Sequence, residues 1–153
     1  MKSRTMIRSQ QGTKISGKGI RLRAFGMKSN SVVGMVKALE RGLPCQALER
    51  FRKESGLPTA IISKILRIPP RTWSRRKASG RLTNPESERL LRLVGIYEKA
   101  VDLFEGDANL ARTWLSSPNR ALSRLAPLTL AETELGARAV EDLIGRLEYG
   151  VYS

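Results

Sequence analysis

The sequence predicts an all-helical fold in which a helix-turn-helix precedes a second, smaller helical domain. Three observations carry this. Leu, Ala, Arg and Glu are plentiful while aromatic residues are only 5% of the chain, a mix that favours helix. From residue 32 onward, apolar residues recur at steps of three and four. Two short helical segments are separated by the tight turn Arg67-Ile68-Pro69, and the second of them is strongly basic.

A chain of 153 residues forms one domain or two small ones, and 41% apolar residues suffice for a core. The single cysteine, Cys45, cannot form an internal disulfide, which favours a reducing compartment and a cytoplasmic reading. There is no histidine, so the usual general base and the commonest metal ligand are missing, and one cysteine cannot complete a zinc site. The expectation is therefore no catalytic residue, no metal and no cofactor. Glu132, Glu134, Glu141, Asp142 and Glu148 are the carboxylates a hydrolase or nuclease would draw on. Glu134, Glu141 and Glu148, however, fall at steps of seven, as surface positions of an amphipathic helix do. No apolar run approaches the roughly 20 residues that span a bilayer, and no signal-peptide core follows the basic N-terminus.

Charge is unevenly placed. Residues 1–92 hold 22 Lys and Arg against 5 Asp and Glu, a net of +17. Residues 93–153 hold 6 against 9, a net of −3. Unpaired cations attract polyanions, and neutralising phosphates releases condensed counterions, so the basic part points to nucleic acid, with ribosomal association, anionic lipid or mere solubility as the plainer alternatives. The split assigns two jobs to two halves, and the chain divides into a basic arm over 1–30, a DNA-binding domain over 31–92 and a second domain over 93–153. Within the arm, eight cations and no acid are interleaved with four glycines (12, 17, 19 and 26), which cannot build a core.

The helices follow in order. Asn30 or Ser31 is placed to cap Val32–Arg41, and Gly42 ends it. Pro44 opens a helix over roughly 44–54 with Ala47, Leu48 and Phe51 at helical spacing, and Gly56 stops it. Pro58–Leu66 carries the apolar stripe Ile61, Ile62, Ile65 and Leu66. After the turn, Pro70 opens Arg71-Thr72-Trp73-Ser74-Arg75-Arg76-Lys77, closed by Gly80. Pro69 stands where a capping Ser or Thr is usual. Asn84-Pro85-Glu86 marks the start of a helix of about 20 residues, with a capping side chain, an early proline and an acid at the positive end of the dipole. Asp107 caps a helix containing Leu110, Ala111, Trp114 and Leu115. A helical turn through Ala121 and Leu122 follows, Pro127 breaks the chain, and Glu134–Tyr149 forms the last helix.

At 100° per residue, setting Trp73 on the core puts Arg71 and Arg75 on the opposite face with Ser74 on their flank. Arg76 and Lys77 fall nearer the core edge, within reach of phosphates. Arg suits guanine O6 and N7, and Ser or Thr contacts bases or phosphates. The DNA-binding set is therefore Thr59 and Lys64 on the first helix of the motif, with Arg71, Thr72, Ser74, Arg75, Arg76 and Lys77 on the second.

From about residue 43 onward the chain resembles the Xre/MbcA/ParS family of type II antitoxins. The resemblance rests on Arg71-Thr72-Trp73-Ser74-Arg75-Arg76, Glu86-Ser87-Glu88-Arg89-Leu90, Trp114-Leu115-Ser116-Ser117-Pro118-Asn119-Arg120-Ala121-Leu122, Pro127-Leu128, Thr133-Glu134-Leu135-Gly136 and Arg146-Leu147-Glu148-Tyr149-Gly150-Val151-Tyr152. The chain departs from it at Pro69 and at Ser123-Arg124, where members often carry glycine. The resemblance implies a helix-turn-helix that binds double-stranded operator DNA and represses its own operon. It also implies a C-terminal toxin-binding domain that covers the active site of a RES-domain, NAD-degrading toxin. The antitoxin would act as a homodimer within a larger complex, without a membrane. The toxin contact would fall on Arg146, Tyr149, Gly150, Val151, Tyr152 and Ser153. A fragment of roughly 84–153 would then keep neutralisation and lose operator binding. The alternative is a stand-alone repressor or nucleoid-type DNA binder whose C-terminal half only dimerises.

Overall fold

The computed structural model describes residues 32–150. The basic arm, the caps expected at Asn30 or Ser31, and Val151, Tyr152 and Ser153 lie outside the described residues. Among the described residues eight α-helices run in order: α1 Val32–Arg41, α2 Cys45–Ser55, α3 Thr59–Leu66, α4 Pro70–Ser79, α5 Asn84–Leu103, α6 Ala108–Ser116, α7 Pro127–Leu130 and α8 Glu134–Glu148. A 3₁₀ turn, Arg120–Leu122, lies between α6 and α7. Among the described residues there is no strand, and the fold is all-α as expected.

Helix α5 is the axis of the molecule. Its 20 residues span about 30 Å. It packs against α1, α2 and α3 on the N-terminal side and against α6 and α8 on the C-terminal side. Leu90, Leu93, Val94, Ile96, Tyr97, Ala100 and Val101 are all buried along it, in one core cluster with Phe51, Ile62, Ile65 and Leu66 and with Leu115, Val140 and Ile144. Phe51 of α2 meets Tyr97 of α5 edge-to-face at 5.6 Å, and Phe104 meets Trp114 of α6 at 6.4 Å. Such aromatic pairs contribute about 0.5–1.5 kcal/mol beyond the area they bury.

Helix ends are tied to neighbouring helices. Arg89 donates to the last carbonyl of α3, Leu66 O, at 3.2 Å, and Arg112 donates to the last carbonyl of α2, Ser55 O, at 3.0 Å. Both put a cation at the negative end of a helix dipole. The α1–α2 and α4–α5 junctions are strapped by Cys45 N–H to Gly80 O at 3.0 Å and Leu82 N–H to Leu43 O at 2.8 Å.

The start of α5 differs in detail from the sequence reading. Thr83 is the cap, in a full capping box with Glu86: Thr83 Oγ1 accepts from Glu86 N–H and Glu86 Oε2 accepts from Thr83 N–H. Asn84 instead turns its amide to Leu39 O of α1 at 2.9 Å. Pro127 also does more than break the chain. It occupies the first position of α7, where its missing N–H costs nothing. Ser123 and Arg124, the non-glycine residues of the intervening loop, both adopt left-handed backbone, with φ of 55° and 64°.

Candidate nucleic-acid interface and partner-binding helix

Helices α3 and α4 enclose a tight turn. Arg67 ends α3 in left-handed conformation (φ 56°), Ile68 N–H donates to Ser63 O at 3.0 Å, and the Ile68 side chain is buried. Pro69 offers no side-chain cap, yet α4 begins at once, because Pro70 has its φ preset and Trp73 N–H donates to Pro69 O at 3.0 Å. Arg71, Ser74, Arg75 and Lys77 are exposed on α4, while Thr72, Trp73 and Arg76 are half-buried. The long solvent-facing row of α4 is thus Arg71–Ser74–Arg75. Lys77 lies over the Trp73 ring at 5.2 Å and 3.7 Å from Glu49. On α3, Thr59 and Lys64 are exposed, and Lys64 Nζ lies 3.1 Å from Glu132 on the turn before α8.

Arg76 is spent internally. Its Nε and Nη2 grip both oxygens of Glu86 at 2.8–3.1 Å, joining the end of α4 to the capping box of α5. Glu86 is buried, and burial pushes its carboxyl up. The hydrogen bonds from Arg76 and Thr83 outweigh that and hold it below the usual carboxylate range. The same hydrogen bond raises the Arg76 guanidinium. Cys45 is buried beside this pair, with its thiol donating to Arg76 O at 3.1 Å. Burial first, then the Glu86 charge, pushes that thiol up.

Helix α8 buries Gly136, Ala137, Val140, Leu143 and Ile144. Gly136 is required by contact: an added Cβ would collide with the carbonyl oxygen of Leu130. The helix ends at Glu148, and Gly150 just beyond it is in left-handed conformation at φ 67°. Arg146 is exposed and Tyr149 is 81% exposed. Three of the carboxylates considered for catalysis are each paired with a cation: Glu132 with Lys64, Glu134 with Arg138 and Glu141 with Lys99.

Two family models match. Residues 34–95 fit the antitoxin Xre-like helix-turn-helix domain, and residues 99–150 fit the antitoxin Xre/MbcA/ParS C-terminal toxin-binding domain. The antitoxin Xre of Yersinia enterocolitica (serotype O:8, biotype 1B) is 39% identical over 132 residues, 86% of this chain and 89% of the relative. The chain belongs to the Xre antitoxin family. The antitoxin Xre of Photorhabdus laumondii subsp. laumondii is 36% identical over the same shares, and that of Pseudomonas putida is 37% identical over 84 residues, 54% of this chain and 52% of the relative. The resemblance noted in the sequence is borne out.

Within the antitoxin fold, the two matched domains meet on α5, whose residues 84–95 fall in one and 99–103 in the other. Two residues of interest escape the sequence reading. Arg67 is exposed in the turn, bordering with Lys64 and Pro70 a shallow depression beside the start of α4. Its place between Lys64 and Arg71 in the sequence was the available signal. Leu135, at the opposite end of α8 from Tyr149, is 82% exposed. Only a count of which helix face meets the core distinguishes it from a core leucine. Among the described residues no helix is long and apolar enough to cross a membrane.

Proposed function

We propose that this Xre antitoxin represses its own operon through α3 and α4 and neutralises a RES-domain toxin, an NAD-degrading enzyme, by covering that toxin's active site. The observation that carries this reading is the presence in one chain of both antitoxin domain types, residues 34–95 and 99–150. The exposed row Arg71–Ser74–Arg75 supports DNA contact. Arg71 and Arg75 read base edges, Ser74 and Thr72 assist, and Thr59, Lys64, Arg67 and Lys77 lie against phosphates. Arg76 holds α4 in place instead of reaching for DNA, since its fork is on Glu86. The chain acts as a homodimer on a palindromic operator, as paired helix-turn-helix units require. It works in the cytoplasm, has no enzymatic activity of its own and binds no NAD. Arg146, Tyr149, Gly150, Val151, Tyr152 and Ser153 contact the toxin.

The test has two arms. A RES-domain toxin encoded in the same genome should co-purify with the antitoxin and lose its NAD-degrading activity. Operator DNA from upstream of the antitoxin gene should bind with sequence preference, and Arg75→Ala should cost about 1–3 kcal/mol of affinity. Failure of co-purification defeats the toxin reading. An Arg71→Ala/Arg75→Ala variant that keeps full operator affinity and preference defeats the DNA reading.

A further inference from the structure

The outer face of α8 carries a second row of residues that the fold leaves unused. Leu135, Ala139, Asp142, Arg146 and Tyr149 are all exposed and follow one another at steps of four, three, four and three. That average of 3.5 residues is the spacing of a seam along which one helix packs against a partner. The row runs about 21 Å along the helix. Its two ends are Leu135, 82% exposed, and Tyr149, 81% exposed, the highest exposures among the large apolar side chains of the described residues.

Charge separates this row from the rest of α8. Glu134 and Arg138 pair at 2.7 Å, and Glu141 pairs with Lys99 at 3.3 Å. Asp142 and Arg146 have the i, i+4 spacing and order that favour a helix pair, yet neither has an ion-pair partner among the described residues. Between the apolar ends stand Ala139, Asp142 and Arg146. The small alanine admits a close approach, and Asp142 and Arg146 offer one charge of each sign.

We propose that this whole face of α8, from Leu135 to Tyr149, is the toxin contact, docking as a helix in a groove of the toxin. The complementary groove takes Leu135 and Tyr149 in apolar pockets about 21 Å apart. It presents a cation to Asp142 and a carboxylate to Arg146. The inference rests on the toxin-binding reading of residues 99–150 and extends the contact about three turns back from Arg146, toward the start of the helix.

The experiment uses the full-length antitoxin and a purified RES-domain toxin from the same genome. Leu135→Glu and Ala139→Arg both keep helix-forming residues on an exposed face, so their melting temperatures and operator affinities should match the parent within error. Each should weaken toxin affinity at least tenfold. Hydroxyl-radical footprinting should show Leu135 and Tyr149 protected together in the complex. Parent antitoxin that fails to bind the toxin at all would defeat the toxin reading itself. Parent that binds, with Leu135 still fully reactive in the complex and Ala139→Arg binding normally, would overturn the extended face alone. A change in the oligomeric state of the free antitoxin on Leu135→Glu, with toxin affinity unchanged, would assign the face to a second copy of this chain and overturn the proposal equally.

Discussion

At the scale of single residues, Glu86 does the most. It closes the capping box with Thr83 and holds the Arg76 fork, so one carboxylate fixes both the start of α5 and the end of α4. Its oxygens are buried, and removing it strands a guanidinium and a backbone N–H. Glu86→Ala should cost about 2–4 kcal/mol. The acid limb follows from the lowered carboxyl. A carboxyl held lower in the folded than in the unfolded state stabilises the fold above its unfolded value, about 4.3 for Glu. That stabilisation is lost as pH falls through the folded value. Urea melts of the parent and Glu86→Gln should therefore differ most near neutrality and converge in acid. A gap that stays constant from neutrality into strong acid would show that the pair contributes through packing alone. Lys64 and Glu132 form a weaker pair, since the lysine side chain is 71% exposed. If Lys64 faces a phosphate in the complex, Glu132→Gln frees it and should tighten DNA binding a few-fold while steepening the salt dependence by up to about one counterion. Unchanged affinity and slope would take Lys64 off the DNA.

At the scale of elements, the loop from the 3₁₀ turn to α7 is the least comfortable piece of backbone. Ser123 and Arg124 are consecutive left-handed residues, held by Arg124 N–H to Asn119 O at 2.8 Å and Asn119 N–H to Leu125 O at 3.1 Å. Left-handed backbone costs a residue with a Cβ about 1–2 kcal/mol, and glycine regains part of that at the expense of unfolded-state entropy. Ser123→Gly should raise stability by up to about 1 kcal/mol, read as a higher urea midpoint at unchanged slope. A lower midpoint would mean the Ser123 side chain makes a contact that outweighs the strain. This loop also marks the limit of what the sequence shows. Helix starts and stops at Pro44, Gly56, Pro70, Gly80 and Asp107 are legible because proline, aspartate and glycine act locally. So is the outward row Arg71–Ser74–Arg75, because helical periodicity dictates it. The choice between Thr83 and Asn84 as cap is not legible. Both side chains can cap, and the contact of Asn84 with Leu39, 45 residues earlier, decides it. Nor does the sequence reveal that Arg76 faces Glu86 instead of solvent, since no periodicity relates the end of one helix to the first turn of the next.

At the scale of the molecule, charge divides the chain near residue 93 but packing does not. Helix α5 crosses that point with apolar residues buried on both sides, and the core is a single cluster from Leu43 to Ile144. Arg112 of α6 also reaches back to Ser55 O of α2, so the ends of the two parts are tied by a polar contact as well as by the shared helix. A fragment covering 84–153 would keep α5 through α8 but lose Phe51, Ile62, Ile65 and Leu66 from around it. Tyr97 would lose its edge-to-face partner, and an apolar strip of α5 would face water. Truncating even one large core side chain to alanine costs about 2–5 kcal/mol, and whole small domains hold only about 5–15. The fragment should therefore melt without a cooperative transition and bind hydrophobic dyes, whatever contacts its outer helix face retains. The complementary variant is the full-length chain with Arg71→Ala and Arg75→Ala, which should unfold cooperatively and keep toxin binding while losing operator binding. Calorimetry on both proteins checks this. A sharp, reversible transition from the fragment would show that α6, α7 and α8 complete a core on α5 by themselves and that the two parts are independent folding units.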